Sequence, residues 1–413
     1  MISLSMQNGQ IIDPQRSLPC FGEFDVLVCG GGMAGFGAAV AAAREGCKTM
    51  LVERESCLGG LATVGLVNIP LDFAAGISKE MLARLDEVNG HWHRNSDPEK
   101  HKLILDRMVV EAGVTLLLVS HAVDAIVENG AVRGVVIENK SGRQAILAKR
   151  VIDCTGDADI AFFAGCECLS GRPSDGKHQA CSLEFRLGGV DWDAYQNSDL
   201  KKNDPTWIKL IEKAVAEGDL PYPIDNHLNW VTHVPGRPQH CGKDEISMCF
   251  AHSRNCQPLS AKDLTRMYLE GREQADILSK FIKKCVPGYE NCYLIDTGTL
   301  LGVRESRRVL GEYVLKTIDF ARAQTFEDTV CLTGHHYDLH NPDGPGNIKW
   351  AEIQIDGKTC YVSTHGKTGS WAPPGGFDVI TDGFGRGGDA FQRKTLPSSI
   401  PYRSLVPQSM DNL

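Results

Sequence analysis

The sequence predicts an α/β fold: a parallel βαβ unit, a β-meander attached to it, and an inserted α+β region. Three observations predict this. From Asp25 to Glu53, a short apolar run, a glycine-rich turn, an alanine-rich run and a second apolar run follow one another. Between His121 and Lys149, short alternating runs are separated by Asn129-Gly130 and Ser141-Gly142, the residues of tight hairpin turns. Beyond residue 166, Gly, Pro, His and aromatic residues increase, and helical and strand periodicities mix, until a regular pattern returns near Asp296.

Residues 1–21 form a lead-in, with a strand at Gly9–Ile12 expected to cover a sheet edge. Val26–Cys29 reads as a buried strand. Gly30, Gly32 and Gly35 follow in the spacing G-x-G-x-x-G, with Met33 and Ala34 inside that turn as expected cofactor contacts, and the alanine-rich run Ala38–Ala43 reads as a helix. The second strand, Thr49–Val52, ends at Glu53, 18 residues after Gly35. This is the Rossmann-like dinucleotide pattern. The first glycine permits the turn, the second lets backbone approach a pyrophosphate, and the third lets helix lie close on strand. The helix start presents free N–H groups and a positive dipole end to phosphates, and Glu53 stands where a carboxylate can accept hydrogen bonds from a ribose.

Arg54 and the loop Leu58-Gly59-Gly60-Leu61-Ala62-Thr63 follow immediately, bare backbone able to wrap an extended ligand beyond its first ribose. Helices are predicted at residues 76–90 and 98–112, the second with Pro98 at its start and Gly113 past its end, and a strand at Val114–Val119. The meander strands are Ala122–Glu128, Val132–Glu138 and Gln144–Lys149. A separate buried strand from Val151 runs into the turn Thr155-Gly156-Asp157, which returns to the nucleotide site.

Residues 166–295 read as an inserted substrate domain containing a helix at Ala261–Lys283, within a nucleotide-binding domain made of residues 22–165 and 296–413. His91 and His93 have no third ligand in view, and in the loose group His240, Cys241, Cys249, His252 and Cys256 only Cys249-x-x-His252 is a close pair where zinc wants two, so packing is the expected role and no metal is predicted. Arg304, Arg307 and Arg308 gather beside a Gly-flanked strand, where pairing with Glu305 competes with anion binding. His335, His336 and His340 offer acid–base chemistry.

Composition bounds the function. The chain has 413 residues, 42% of them hydrophobic, and a net charge of −9, which leaves no basic excess for a nucleic-acid surface. No signal peptide or apolar run of membrane-spanning length is visible, and the 15 cysteines are read as mostly reduced thiols of a cytoplasmic protein.

Together the Gly30–Gly35 loop, Glu53 with Leu58-Gly59-Gly60, VIDCTGDAD at 151–159, GVRESRR at 302–308 and IPYRSLVP at 400–407 resemble the FAD-dependent oxidoreductases with a glutathione-reductase-like flavin domain, across residues 22–413. The resemblance implies that FAD lies with its pyrophosphate on Gly30–Gly35, its adenine ribose on Glu53, its ribityl chain and flavin toward Gly59–Thr63, and its adenosine half near Thr155-Gly156-Asp157. It implies hydride transfer between a small organic substrate and the flavin. Arg304 or Arg403 would hold an anion or polarise a carbonyl, and His336, His340 or Tyr402 would exchange a proton. The Cys-x4-Cys pair of the disulfide reductases is absent after Gly60. The last strand and helix of similar proteins would begin where this chain stops, so a homo-oligomer or a second chain is expected to complete the flavin site. The alternatives are a truncated or split non-catalytic flavoprotein subunit and, from the first βαβ unit alone, an NAD-dependent dehydrogenase.

Overall fold

A computed structural model describes residues 17–69, 75–92, 95–235, 244–316, 318–319, 324–333, 339–348 and 398–413, and the backbone of the strand segments 5–7, 10–12, 350–355, 358–363 and 379–380. The first two strands, β1 (Ser5–Gln7) and β2 (Gln10–Ile12), pair with each other as a hairpin, so the expected lead-in strand forms its own ladder rather than covering the edge of the main sheet.

Strand β3 (Cys20–Cys29) starts six residues earlier than its apolar core, because Cys20–Phe24 pair with Ala145–Ala148. Helix α1 (Met33–Arg44) and strand β4 (Thr49–Val52) complete the βαβ unit, β4 lying parallel to β3. Helix α2 (Gly76–Glu87) is followed by the short hairpin β5 (His91–Trp92) and β6 (Asn95–Ser96), then by α3 (Pro98–Glu111). The Asp97 carboxylate caps α3 by accepting from the Glu99 and Lys100 N–H groups at 2.9 and 3.4 Å. Strand β7 (Thr115–Leu117) adds to β4 in parallel.

The meander comprises β8 (His121–Glu128), β9 (Ala131–Asn139) and β10 (Gly142–Asp153). Its third strand and the strand expected separately from Val151 are one. β10 pairs antiparallel with β9 through Gly142–Leu147 and parallel with β3 from Ala145 to Asp153, and no turn residue interrupts it between these partners. The sheet order is β7-β4-β3-β10-β9-β8. Side chains alternate across it as a pleated strand requires. Val28 and Leu51 pack with Phe36, Val40, Met81, Leu105 and Met108 beneath α1–α3. Leu27, Cys29, Met50 and Val52 face the other core with Val135, Ile137 and Ile146. Helix α4 (Asp159–Phe163) adds Ile160 and Ala161 to that second core.

Strand β11 (Cys168–Ser170) leads to β12 (Cys181–Ser182) and β13 (Phe185–Val190). Helices α5 (Trp192–Asn197), α6 (Asp199–Asn203) and α7 (Ile208–Glu217) precede strands β14 (Trp230–His233), β15 (Asp244–Cys249) and β16 (His252–Ser253). The 25-residue helix α8 (Ala261–Cys285) and strand β17 (Tyr293–Thr297) follow. Strands β14-β15-β13-β17 form a four-stranded antiparallel sheet. Its apolar core gathers Phe185, Tyr195, Trp207, Phe250, Leu278, Phe281 and Tyr289. The buried positions Met267, Gly271, Gln274, Ala275, Leu278, Phe281 and Ile282 form one stripe of α8 at helical spacing.

Strand β18 (Arg307–Val309) returns to pair with β11, and β19 (Thr329–Thr333) pairs with β23 (Ser398–Pro401). Between them, β20 (Trp350–Ile355), β21 (Lys358–Ser363) and β22 (Val379–Ile380) form a three-stranded ladder. The last residues run beside the meander: the Val132 N–H donates to the Asp411 carbonyl at 3.0 Å and the Val151 N–H to the Asn412 carbonyl at 2.8 Å.

Candidate functional site

The glycine turn is built by contacts that tolerate no side chain. Gly30 has a φ of +100°, and a Cβ there would lie 2.2 Å from the Cys154 carbonyl oxygen; a Cβ on Gly35 would lie 1.8 Å from the Gly30 carbonyl oxygen. Gly32 is different. Its φ is −62°, open to any residue, and a Cβ would meet nothing within 4 Å. It is the N-cap of α1 with no side-chain cap, and the first turn, opened by Met33 and Ala34, contains no acidic residue. The helix start therefore faces open space with uncapped N–H groups, an arrangement that accepts a phosphate.

The Gly59-Gly60 turn lies directly against this opening. The Gly59 N–H donates to the Gly31 carbonyl at 2.9 Å, and Gly32 and Gly59 form a parallel bridge. Both Gly59 and Gly60 have positive φ, +101° and +53°. Buried Thr63 holds the turn by donating from its hydroxyl to the Leu58 carbonyl at 2.7 Å, with Ala62 beside it. Glu53 is 6% exposed; its carboxylate accepts from the Gly31 and Glu55 backbone N–H groups, the latter at 2.7 Å. Sequence reasoning finds its position but not this second task, which is to hold the glycine turn in place. Each carboxylate oxygen keeps a lone pair for a ribose hydroxyl. Arg54 points outward and pairs with Glu55 at 3.4 Å.

Thr155-Gly156-Asp157 sits next to Gly30, since the Cys154 N–H donates to the Cys29 carbonyl at 2.8 Å. Asp153 organises the turn, accepting from the Thr155 N–H and hydroxyl at 3.1 and 2.7 Å and from the Ala161 N–H at 3.0 Å. From the start of β18, the Ser306 hydroxyl donates to Asp157 at 2.6 Å. The Arg307 guanidinium donates to the Asp157 carbonyl at 3.0 Å and to the Asp159 carboxylate at 2.8 Å, and lies over the Phe162 ring. Arg308 donates to the Gly171 carbonyl at 2.8 Å. Of the two roles open to these arginines, the structure places both in internal pairing.

Arg304 goes elsewhere. From the Gly-Gly turn the chain runs onto the antiparallel sheet: the Ser247 hydroxyl donates to the Leu66 carbonyl at 3.0 Å and the Thr232 hydroxyl to Asn68 at 2.7 Å. The Thr299 N–H donates to the Val64 carbonyl at 2.9 Å, and Gly302 exchanges both backbone hydrogen bonds with Ser182. Past that seam lies a buried polar cluster. Arg304 Nη2 stands 3.4 Å from Ser182 Oγ and 3.7 Å from Cys249 Sγ. The Ser182 hydroxyl donates to Glu184 at 2.9 Å. Burial pushes the Glu184 carboxyl up to about 7, against the opposing pull of Arg304, Ser182 and Cys249. Cys249 Sγ is 3.9 Å from His252 Nε2, and His252 Nδ1 is 3.2 Å from the Asp225 carboxylate. Burial holds His252 neutral, well below the usual histidine range, despite Asp225. His340 stacks on His252 at 5.0 Å between ring centroids.

The structure thus brings together Arg304 and His340 of the expected catalytic residues. Tyr402 and Arg403 are not in this cluster. Arg403 pairs with Asp328 at 3.2 Å and lies over the Tyr313 and Phe326 rings, while Tyr402 is 58% exposed. His335 and His336 lie outside the described residues, as do His93, His240 and Cys241. Ser182, Glu184 and Asp225 carry no sequence signal, because isolated Ser, Glu and Asp residues recur throughout the chain. Cys249 and His252 do, as a close pair. Among the described residues, no three His, Cys, Asp or Glu side chains are grouped to hold a metal ion.

A family profile described as FAD dependent oxidoreductase matches residues 25–363. The chain belongs to that family. This oxidoreductase is 30% identical over 315 residues to digeranylgeranylglycerophospholipid reductase 2 of Methanopyrus kandleri, covering 63% of this chain and 78% of the relative. To the enzyme of the same name from Methanothermobacter thermautotrophicus it is 32% identical over 195 residues, covering 41% and 48%. Among solved structures, a geranylgeranyl bacteriochlorophyll reductase-like protein from Thermoplasma acidophilum aligns with 19% identity and a TM-score of 0.39, covering 68% of this chain and 66% of that one. The cofactor of the family is FAD. The open helix start at Gly32, the uncapped N–H groups and the buried acid at Glu53 fit its adenosine-diphosphate part. No helix among the described residues is long and apolar enough to cross a membrane.

Proposed function

We propose that the oxidoreductase binds FAD along Gly30, Gly32, Met33, Ala34, Gly35, Glu53, Arg54, Gly59, Gly60, Ala62, Thr63 and Thr155-Gly156-Asp157, and acts on a small organic substrate near the seam between the Gly-Gly turn and residues 298–304. When bound, the flavin supplies hydride chemistry. The observation that carries the reading is the convergence of Arg304, Ser182, Glu184, Cys249 and His252 behind that seam. The chain's own residues would divide the remaining work. Arg304 holds or polarises an oxygen of the substrate. Glu184, raised by burial into the range where it can both give and take a proton near neutrality, serves as the proton reservoir. Asp225 fixes the orientation of His252, and His340 packs over it.

On this reading the chain divides into a nucleotide-binding part, 22–165 with 296–413, and a substrate part, 166–295. It works in the cytoplasm, consistent with the unpaired state of the described cysteines. The relatives' names place a digeranylgeranyl glycerophospholipid among the substrates to try. The test is a panel of carbonyl, hydroxyl and isoprenoid substrates, read by bleaching and recovery of the flavin absorbance. With the substrate that responds, Arg304→Ala should keep bound FAD and lose about 100-fold in turnover. Unchanged turnover removes Arg304 from the site.

A further inference from the structure

Two thiols stand outside the polar cluster, on the far side of Ser182. Cys181 precedes Ser182 in β12, and its Cα partner across the β12–β16 ladder is Ser253. Three residues on, Cys256 turns its Sγ back to the same residue and donates to the Ser253 carbonyl at 3.0 Å. Both cysteines are almost wholly buried and share one small apolar cluster with Leu183, Met267 and Leu301. Ser253 is thus common to both, as the ladder partner of Cys181 and the acceptor of the Cys256 thiol. A cavity of about 150 Å3 reaches Cys256 and is lined also by Asp175, Lys177, His178 and Gln257. It is partly open to solvent and has room for a small oxidant.

We propose that Cys181 and Cys256 form a redox-active dithiol whose oxidant is a small hydroperoxide entering through this cavity. Cys256 is the attacking sulfur. It lines the cavity and Cys181 does not, and the closeness of Cys181 and of Arg266 lowers its thiol against burial and Glu270. The Cys256 thiolate takes the terminal peroxide oxygen as the O–O bond breaks, giving a sulfenic acid and releasing water or an alcohol. Cys181 sulfur then displaces the hydroxyl from Cys256, the S–S bond forms, and the hydroxyl leaves as water with the Cys181 proton. Two thiols are oxidised by two electrons and one hydroperoxide is reduced. The disulfide ties β12 to the segment after β16, immediately beside Ser182.

Peptide mapping tests this on the full chain. Trypsin releases 178–186 and 255–262, each with a single cysteine. After one equivalent of hydrogen peroxide, non-reducing mass spectrometry should find these two peptides joined, lighter than their sum by two hydrogen atoms and separated by dithiothreitol. In Cys181→Ser the joined species should vanish, and dimedone should label Cys256. The proposal is overturned if peroxide oxidises the exposed Cys20 and Cys331 while 178–186 and 255–262 stay unlinked in the wild-type chain. The wild-type measurement decides by itself, so a variant that fails to fold leaves the test intact.

Discussion

Gly32 and Gly35 are three residues apart and serve opposite physical ends. At Gly35 a methyl group would collide with the Gly30 backbone oxygen, so Gly35→Ala should destabilise the βαβ unit by several kcal/mol and lower Tm with or without FAD. At Gly32 there is room and an ordinary φ. Gly32→Asp should fold with a Tm close to the wild-type apoprotein and lose FAD, because its carboxylate would occupy the phosphate position with the wrong charge. Thermal melts of the apo forms and flavin content of the purified proteins separate the two. Glu184 makes a different residue-scale prediction. Its folded value, about 7, lies above the 4.5 of an exposed glutamate. Between those values the native state holds a proton that the unfolded state has lost, so stability falls as pH rises from about 4.5 to 7. Glu184→Gln should remove that decline, on the order of 3 kcal/mol across the window. Denaturant melts on either side of that window would measure it, and an unchanged pH dependence would show that the carboxyl titrates normally.

At the scale of elements, the turn after β10 is held from outside by β18. Ser306 and Arg307 reach 149 and 148 residues back to Asp157 and Asp159, adding a long-range clamp to the local bonds of Asp153. Arg307→Ala should cost about 1–3 kcal/mol, since the charged hydrogen bonds are part-buried, and should weaken FAD binding without abolishing it. Titration of the apoprotein with FAD reads the second effect. The same scale explains what is legible in the sequence. Helices α1, α2, α3 and α8 follow from local signals: a glycine turn, Asp97 before Pro98, and a stripe of apolar residues on α8. Strand β10 reads as two in the sequence because its two halves serve different partners, and pairing is a non-local property. Arg307 stays open between two roles for the same reason, since its partners are far away in the chain.

For the whole molecule, the order of elements along the chain matters less than the seam. Residues 64–68 leave the nucleotide turn and bond to Thr232, Ser247 and Thr299, so the cofactor turn and the antiparallel sheet share one backbone. Ligand binding on one side should therefore stabilise the other. FAD at about 100 times its Kd should add about 2.7 kcal/mol to unfolding, seen as a rise in Tm, while NAD at the same concentration should leave Tm unchanged. A shift with NAD alone would contradict the family's cofactor.

Family resemblance pointed to FAD; by itself the spacing of residues determined the βαβ unit, the glycine turns, Glu53 and the binding of a dinucleotide. These depend on residue types at short, fixed spacings, where backbone geometry leaves few alternatives. Only the tertiary structure decided that Ser182, Glu184, Asp225, Cys249, His252, Arg304 and His340 meet, that Arg307 and Arg403 are engaged elsewhere, and that Cys181 and Cys256 share one apolar cluster. Those residues come from segments far apart in the chain. What brings them together is strand pairing and the burial of apolar surface around them, neither of which has a local signature.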